Sequence, residues 1–129
     1  MATGVLGGLA STIAANSLVW VFVGPTANVT VTAAQRLTGT ATSSLAAAGN
    51  TTARIDLCYQ NSGGGTVTNF SGFNYIIQTF SAVRVPYTAA GSVVPGVAAT
   101  YKVGLCALNG GVTAINNNDY VNGYVQVTN

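Results

Sequence analysis

The chain has 129 residues, and Lys, Arg, Asp and Glu together make up 5% of them, against about 25% in typical domains. The chain contains no His and no Glu, and this absence excludes paired-carboxylate hydrolysis, a Ser-His-Asp triad and His-based metal sites. We therefore predict that the protein is not an enzyme and that it uses no metal or cofactor. The net charge of +2 is too small and too dispersed for binding to nucleic acid or to an anionic membrane.

A chain of this length forms a hydrophobic core of its own, because proteins of this size bury roughly two-thirds of the surface they expose when unfolded. Neither an internal repeat nor a change of composition divides it, so we predict a single domain over residues 1–129. The mean hydropathy of +0.45, combined with so little charge, indicates apolar surface beyond that core. Other copies of the same chain would cover this surface most simply.

Residues 1–16 are small and mildly apolar, but they lack a basic start, and Gly4, Gly7 and Gly8 interrupt any helix. They therefore do not make a clear secretory signal. The longest apolar run, residues 18–23, is much shorter than the ~20 residues that a membrane-spanning helix needs. We predict no insertion into a membrane.

Runs of β-branched and aromatic residues follow, separated by Gly, Asn, Ser and Pro at intervals of about ten residues. Helical periodicity is almost absent, so the pattern predicts an all-β fold, an antiparallel sandwich of two sheets. The predicted strands are residues 17–23, 28–34, 35–42, 53–60, 73–81, 83–89, 99–108 and 119–128. This number of strands favours a jelly roll over a seven-stranded Greek key.

The segments near the first predicted strands carry further signals. Residues 18–23 are apolar on both faces, which predicts a strand covered on both sides, with Trp20 in the core. Residues 44–48 have helical propensity, but Gly49-Asn50 ends the run, so we predict a loop or a single turn there. Clusters rich in Gly and Asn predict turns at residues 62–65, 109–111 and 116–119.

The last predicted strand alternates strictly between two kinds of residue. Val121, Gly123, Val125 and Val127 fall on one face, and Tyr120, Asn122, Tyr124 and Gln126 fall on the other. The first face fits a core, and the second leaves aromatic rings and amides at the surface. Such a surface suits a subunit contact or a bound sugar.

Two cysteines and three charged residues share strand faces that point away from the main apolar stripes. Arg54, Asp56 and Cys58 fall on such a face of residues 53–60, and Lys102 and Cys106 on such a face of residues 99–108. Asp56 and Lys102 are therefore predicted to form an ion pair. Cys58 and Cys106 form a disulfide if the two strands are neighbours and are free, packed thiols otherwise, and the sequence leaves both possibilities open.

Five stretches of the chain resemble a known family. They are Ile55-Asp-Leu-Cys-Tyr-Gln-Asn-Ser-Gly-Gly-Gly65, Phe73-Asn-Tyr75, Ser81-Ala-Val-Arg-Val-Pro-Tyr-Thr88, Ala99-Thr-Tyr-Lys-Val-Gly-Leu105 and the terminal Tyr-Val-Asn-Gly-Tyr-Val-Gln-Val. In strand order and spacing they resemble the TNF-like trimeric lectin domain at the N-terminus of bacterial two-domain superlectins. The resemblance implies a TNF-like jelly roll and a homotrimer. We also predict a secreted or cell-surface location.

By the same resemblance, the protein is a non-enzymatic lectin that binds fucosylated or related glycans, without metal, in shallow sites at protomer boundaries. The sugar-binding residues that it implies are Tyr75, Ser81 and Arg84, together with Tyr87, which fixes the segment along with Pro86. Arginine presents a planar fork of donors to neighbouring hydroxyls, and the tyrosine and serine hydroxyls donate and accept. An aromatic face covers the C–H side of a sugar.

These residues also have a purely structural interpretation. Arg84 is then a strand-end cation that pairs with an aspartate or faces solvent, and Tyr75, Tyr120 and Tyr124 pack along a subunit axis. The alternative function is accordingly a structural or assembly module, such as the head of a trimeric spike or fibre. Such a module would form the same trimer without responding to sugars.

Overall fold

The computed structural model describes residues 2–129, which form two antiparallel sheets packed as a sandwich and contain no helix. The strands are β1 (Thr3–Leu9), β2 (Val21–Phe22), β3 (Ala27–Val31), β4 (Arg36–Leu45), β5 (Thr51–Asn61), β6 (Thr68–Asn69), β7 (Ile76–Phe80), β8 (Val85–Val93), β9 (Ala99–Leu108) and β10 (Tyr120–Thr128). The prediction of an all-β, two-sheet sandwich is confirmed. The described part of the chain has no helix of the length and apolarity needed to span a membrane.

One sheet has four strands, in the order β1-β10-β4-β8. The other has six and is built on the long neighbouring strands β5 and β9. The short strands β2 and β3 both pair along the free side of β9, and β6 and β7 both pair along the free side of β5. Two long strands therefore form the centre of this sheet, and pairs of short strands form its edges.

The sequence pattern predicts no strand in residues 1–16, yet β1 pairs along its whole length with β10. Glycine has a low strand propensity, so the glycine-rich sequence of β1 does not indicate a strand. Packing requires the glycines, because a Cβ on Gly4 would lie 2.6 Å from the Cβ of Ala27. A Cβ on Gly8, which has a φ of +146°, would lie 2.6 Å from Cγ of Pro25.

Most of the predicted strands occur with shifted ends. β9 has the predicted bounds, whereas residues 17–23 contribute only the two residues of β2. The predicted loop at residues 44–48 is wrong at its start, because β4 continues through Ser44 and Leu45 to pair with β8. The two-residue strand β6 is a further element that the sequence pattern does not indicate.

The core lies between the sheets and is made by alternate residues of the strands. Its fully buried members include Leu6, Leu37, Leu57, Leu105 and Val125. The ring of Tyr87 on β8 stacks on the ring of Phe80 on β7, with 4.2 Å between their centroids, so this pair joins the two sheets. Burial raises the pKa of the Tyr87 hydroxyl, which donates to the Thr79 carbonyl at 2.8 Å.

The predicted alternation of the last strand is confirmed, and the predicted burial of Trp20 is wrong. Val121 and Val125 of β10 are buried, whereas Tyr120 and Tyr124 are 60% and 44% exposed. Trp20 is only half-buried and lies outside the core cluster. It belongs to the segment just before β2, where Leu18 and Val19 are 91% and 63% exposed, so the prediction of a strand covered on both sides is wrong for this segment.

The middle of the face of β5 and β9 that points away from the core is buried as well. Cys58 and Cys106 form a disulfide between these neighbouring strands, and both are fully buried, so the alternative of free thiols does not hold. The predicted ion pair between Asp56 and Lys102 is not formed. In the register of the two strands, Asp56 lies opposite Cys106, and Lys102 lies opposite Gln60.

Asp56 instead fixes the turn that follows β6. One carboxylate oxygen accepts a hydrogen bond from the backbone N–H of Leu57 at 2.8 Å. The other accepts from the side-chain amide of Asn69 at 2.9 Å, from the backbone N–H of Ser71 at 3.1 Å, and from the Ser71 hydroxyl. Because Asp56 is only 4% exposed, these donors take the place of water around the carboxylate.

Candidate functional site

The predicted sugar-binding residues do not all lie together. Tyr75 directly precedes β7, Ser81 directly follows it, Arg84 directly precedes β8, and Tyr87 lies within β8. β7 has five residues, and a strand of this length separates its two ends by roughly 17 Å. Tyr75 therefore lies apart from the other three residues.

Ser81 and Tyr87 shape the segment that carries Arg84. The Ser81 hydroxyl accepts a hydrogen bond from the backbone N–H of Val83 at 3.2 Å, and the Ser81 carbonyl accepts one from the N–H of Ala47 at 2.8 Å. Tyr87 is 6% exposed and lies between the sheets, where it anchors the start of β8. This placement suits the role of fixing the segment and keeps the Tyr87 ring away from the surface.

Arg84 is held by the turn that precedes β10. Its Nε donates to the carbonyl oxygen of Asn117 at 3.0 Å, and its Nη2 donates to Oδ1 of Asn117 at 2.6 Å. Its Nη1 lies 3.9 Å from a carboxylate oxygen of Asp119, and the two side chains are 45% and 50% exposed. An ion pair this exposed contributes at most about 1 kcal/mol to stability. The arrangement orients Arg84 and leaves part of its guanidinium open to solvent.

Asp119 connects Arg84 to a shallow hollow of about 320 Å³, which we call the Arg84 pocket. Its lining residues are Thr42, Ser43, Ser44, Asp119, Tyr120 and Asn122. They come together because the end of β4 pairs with the beginning of β10, with Thr42 opposite Asn122. The pocket thus offers hydroxyls, a carboxylate, an amide and an exposed aromatic ring, which are the groups that contact sugars.

Tyr75 belongs to a second group of side chains, the aromatic cluster, made of Trp20, Tyr75 and Arg54. The rings of Trp20 and Tyr75 meet edge to face with 6.1 Å between their centroids. Cζ of Arg54 lies 4.4 Å from the centroid of the Tyr75 ring, which is a cation–π contact. All three residues are half-buried. Arg54 faces outward because its neighbours Ala53 and Ile55 point into the core.

Two adjoining hollows run from Arg54 along the outward surface of β5 and β7, and we call them together the groove. The first, of about 270 Å³, is lined by Thr52, Ala53, Arg54, Ile77, Leu108, Gly110 and Gly111. The second, of about 410 Å³, is lined by Asn50, Thr51, Thr52, Thr79, Gly111 and Val112. They share Thr52 and Gly111, so they are continuous. A Cβ on Gly111 would lie 2.1 Å from Oγ1 of Thr51, so the loop can approach β5 only with glycine at this position.

Within residues 2–129, the guanidinium of Arg54 has no carboxylate partner and donates no hydrogen bond. One of the two aspartates, Asp56, is surrounded by its own donors, and the other, Asp119, lies beside Arg84. The N–H groups of Arg54 are therefore free to meet a ligand.

Trp20 and Arg54 are not among the predicted site residues, although both belong to a surface cluster. Strand alternation already places Arg54 on the face away from the core, which was a usable signal. Trp20 gave no such signal, because an apolar run indicates burial. No group of three or more side chains suited to hold a metal ion occurs in the described residues.

The chain matches no model of a known protein family, and a search of curated proteins gives no significant match.

Proposed function

We propose that the protein is a non-enzymatic lectin that binds glycans at the Arg84 pocket. The observation that supports this proposal is the position of Arg84, which Asn117 holds beside Asp119, and Asp119 lines a hollow together with Tyr120 and Asn122. A guanidinium next to a carboxylate offers donors and acceptors to neighbouring hydroxyls, and the ring covers an apolar side of a sugar. Fucosylated glycans are the first class to test, because the resemblance implies them.

We also propose that the protein forms a homotrimer and that the outward side of its four-stranded sheet, the outer face, takes part in the contact. Val5, Leu9, Tyr120 and Tyr124 are 76%, 63%, 60% and 44% exposed on this face. The remaining outward residues are mostly Thr, Ser, Asn and Gln, and Arg36 at one end of β4 is the only charged residue on the four strands that form the face. Copies of the chain can therefore cover it while desolvating almost no charge.

The size of the outer face supports the same proposal. Four strands spaced about 4.8 Å apart and nine residues long, at about 3.3 Å per residue, cover an area on the order of 600 Å². A partner in a standard stable interface buries about 800 Å², so the outer face supplies most of the area of one such contact and flanking residues supply the rest. Tyr120 and Asn122 belong both to the outer face and to the Arg84 pocket, so association through this face would put the pocket at a protomer boundary.

A location outside the cell or at its surface completes the proposal. The disulfide between Cys58 and Cys106 supports this location, because disulfides persist in oxidising compartments and are rare in the cytosol.

Removing the guanidinium of Arg84 is expected to abolish glycan binding without changing the oligomer. Arg84→Ala should lower affinity at least about tenfold for any glycan that the wild type binds, since it removes charge-assisted hydrogen bonds. A glycan array and light scattering on the same sample measure the two effects. Lys102→Ala removes the same charge from the other sheet and should leave binding unchanged. Full binding by Arg84→Ala would remove the proposed site.

A lysine in the centre of the outer face is expected to prevent self-association. Tyr124→Lys would put an ammonium group into the contact at a cost of several kcal/mol, enough to raise the dissociation constant by a factor of about 100 or more. Light scattering at micromolar concentration should give three times the chain mass for the wild type and the single chain mass for the variant. Thr66→Lys, in an exposed turn, adds the same charge and should stay trimeric. A monomeric wild type would refute the trimer.

The second candidate function is a structural or assembly module. The observation that favours it is the outer face itself, because its exposed tyrosine, valine and leucine side chains need a cover whether or not a sugar binds. A trimer that gives no signal on the glycan array would select this function over the lectin.

A further inference from the structure

We infer that the groove is a second binding site, separate from the Arg84 pocket, and that it takes a chain of acidic sugars whose carboxylate pairs with Arg54. Arg54 lies within β5 of the six-stranded sheet, whereas Arg84 directly precedes β8 of the four-stranded sheet. The two sites therefore share no residue, and each is open to an independent test.

The charge of the ligand follows from the surroundings of Arg54. Residues 2–129 supply the guanidinium with no carboxylate, and both aspartates are engaged elsewhere. A half-buried cation has lost part of its hydration, so an anion that enters the groove replaces water with a stronger partner. The planar guanidinium fits a carboxylate with two parallel hydrogen bonds.

The aromatic cluster holds Arg54 in place beside the groove. Cζ of Arg54 lies 4.4 Å from the centroid of the Tyr75 ring, and the ring of Trp20 packs edge to face on that of Tyr75. Both rings are half-buried and lie outside the lining of the groove, so they support the guanidinium from behind. Holding Arg54 in place before binding also reduces the side-chain entropy lost in the complex.

The length of the groove favours a chain of sugars over a single one. Thr52 lies opposite Thr79, and Arg54 lies opposite Ile77, in the pairing of β5 with β7, so the groove follows these strands for several residues. Its far end is lined by Asn50, Thr51, Thr52 and Thr79. Uncharged hydroxyls and an amide bind sugar hydroxyls, whereas they offer a peptide no fixed pattern of strand pairing.

Matched ligands test the inference on the wild-type protein. The probes are trigalacturonic acid beside galactotriose, and sialyllactose beside lactose, titrated by calorimetry at low salt. We expect the wild type to bind at least one acidic member at least tenfold more tightly than its neutral counterpart, and to bind triglutamate at least tenfold more weakly than that sugar. Equal binding within each sugar pair, or equal binding of triglutamate, would overturn the inference.

Variants assign the effect to Arg54. Arg54→Gln should reduce the preference for the acidic sugar to less than twofold, and Arg54→Lys, which keeps the charge and loses the planar fork, should weaken binding about tenfold. Lys102→Gln removes a cation elsewhere on the same sheet and should change nothing. Arg84→Ala should also leave this binding intact. If Arg54→Gln still prefers the acidic sugar over its neutral counterpart, the proposed site is refuted. If only Arg84→Ala loses binding, and only to neutral glycans, the result concerns the Arg84 pocket and not the groove.

Discussion

Replacing Cys58 and Cys106 together by alanine is expected to lower the free energy of unfolding by about 4 kcal/mol. The disulfide closes a loop with a sequence separation of 48, and the loss of chain entropy in the unfolded state accounts for an effect of about this size. A small domain is stable by only about 5–15 kcal/mol, so the double variant would be close to unfolding at 37 °C. Urea unfolding followed by tryptophan fluorescence measures the change.

The wild type in the presence of a strong reductant is the matched comparison for the double variant. Both proteins lack the covalent link, so their urea midpoints should agree and should lie well below that of the oxidised wild type. Serine in place of alanine would put two hydroxyls into a fully buried position, so alanine is the cleaner substitution. A loss of less than about 1 kcal/mol in the double variant would show that the link adds little to packing already present.

Local sequence signals predict the strands that carry regular alternation, and they do not predict the partners of those strands. β10 alternates valine with tyrosine and amide residues, and its buried and exposed residues follow that pattern. β1 is not predicted because glycine has a low strand propensity. Its glycines are required by close contacts with Ala27 and Pro25, and these contacts exist only in the folded tertiary structure. The two-sheet sandwich is therefore readable from the sequence, whereas the trimer remains a prediction.

In the candidate sites, too, the sequence predicts which face a residue occupies and does not predict which strands are neighbours. Strand alternation places Cys58, Cys106 and Arg54 on faces away from the core. It cannot show that β5 and β9 are neighbours, and this pairing is what turns two thiols into a disulfide. The meeting of Trp20 with Tyr75 likewise depends on β2 and β7 lying on opposite sides of the same central strands. Contacts between residues so distant in sequence follow from topology, which periodicity does not contain.

Removing the carboxylate of Asp56 is expected to lower the free energy of unfolding by about 3 kcal/mol. In Asp56→Ala, the buried N–H of Leu57 and the part-buried N–H and hydroxyl of Ser71 lose their side-chain acceptor, and a buried donor left unsatisfied costs about 1–3 kcal/mol. The side-chain amide of Asn69 keeps its second bond, to the carbonyl of Gly72 at 2.8 Å, which limits the loss. Urea unfolding with the disulfide intact measures this effect separately from that of the cysteines.

Asp119→Ala is the matched control, because it removes the same charge from an exposed ion pair and should cost less than about 1 kcal/mol. Asp56→Asn is a second test and should also be destabilising. The amide replaces one acceptor oxygen by an NH₂ group, which cannot accept the hydrogen bonds that the surrounding N–H and O–H groups donate. The reason is geometric, because the carboxylate ties the turn after β6 to the central strand β5. Equal effects of Asp56→Ala and Asp119→Ala would mean that the turn is held by its backbone alone and that the buried carboxylate is dispensable.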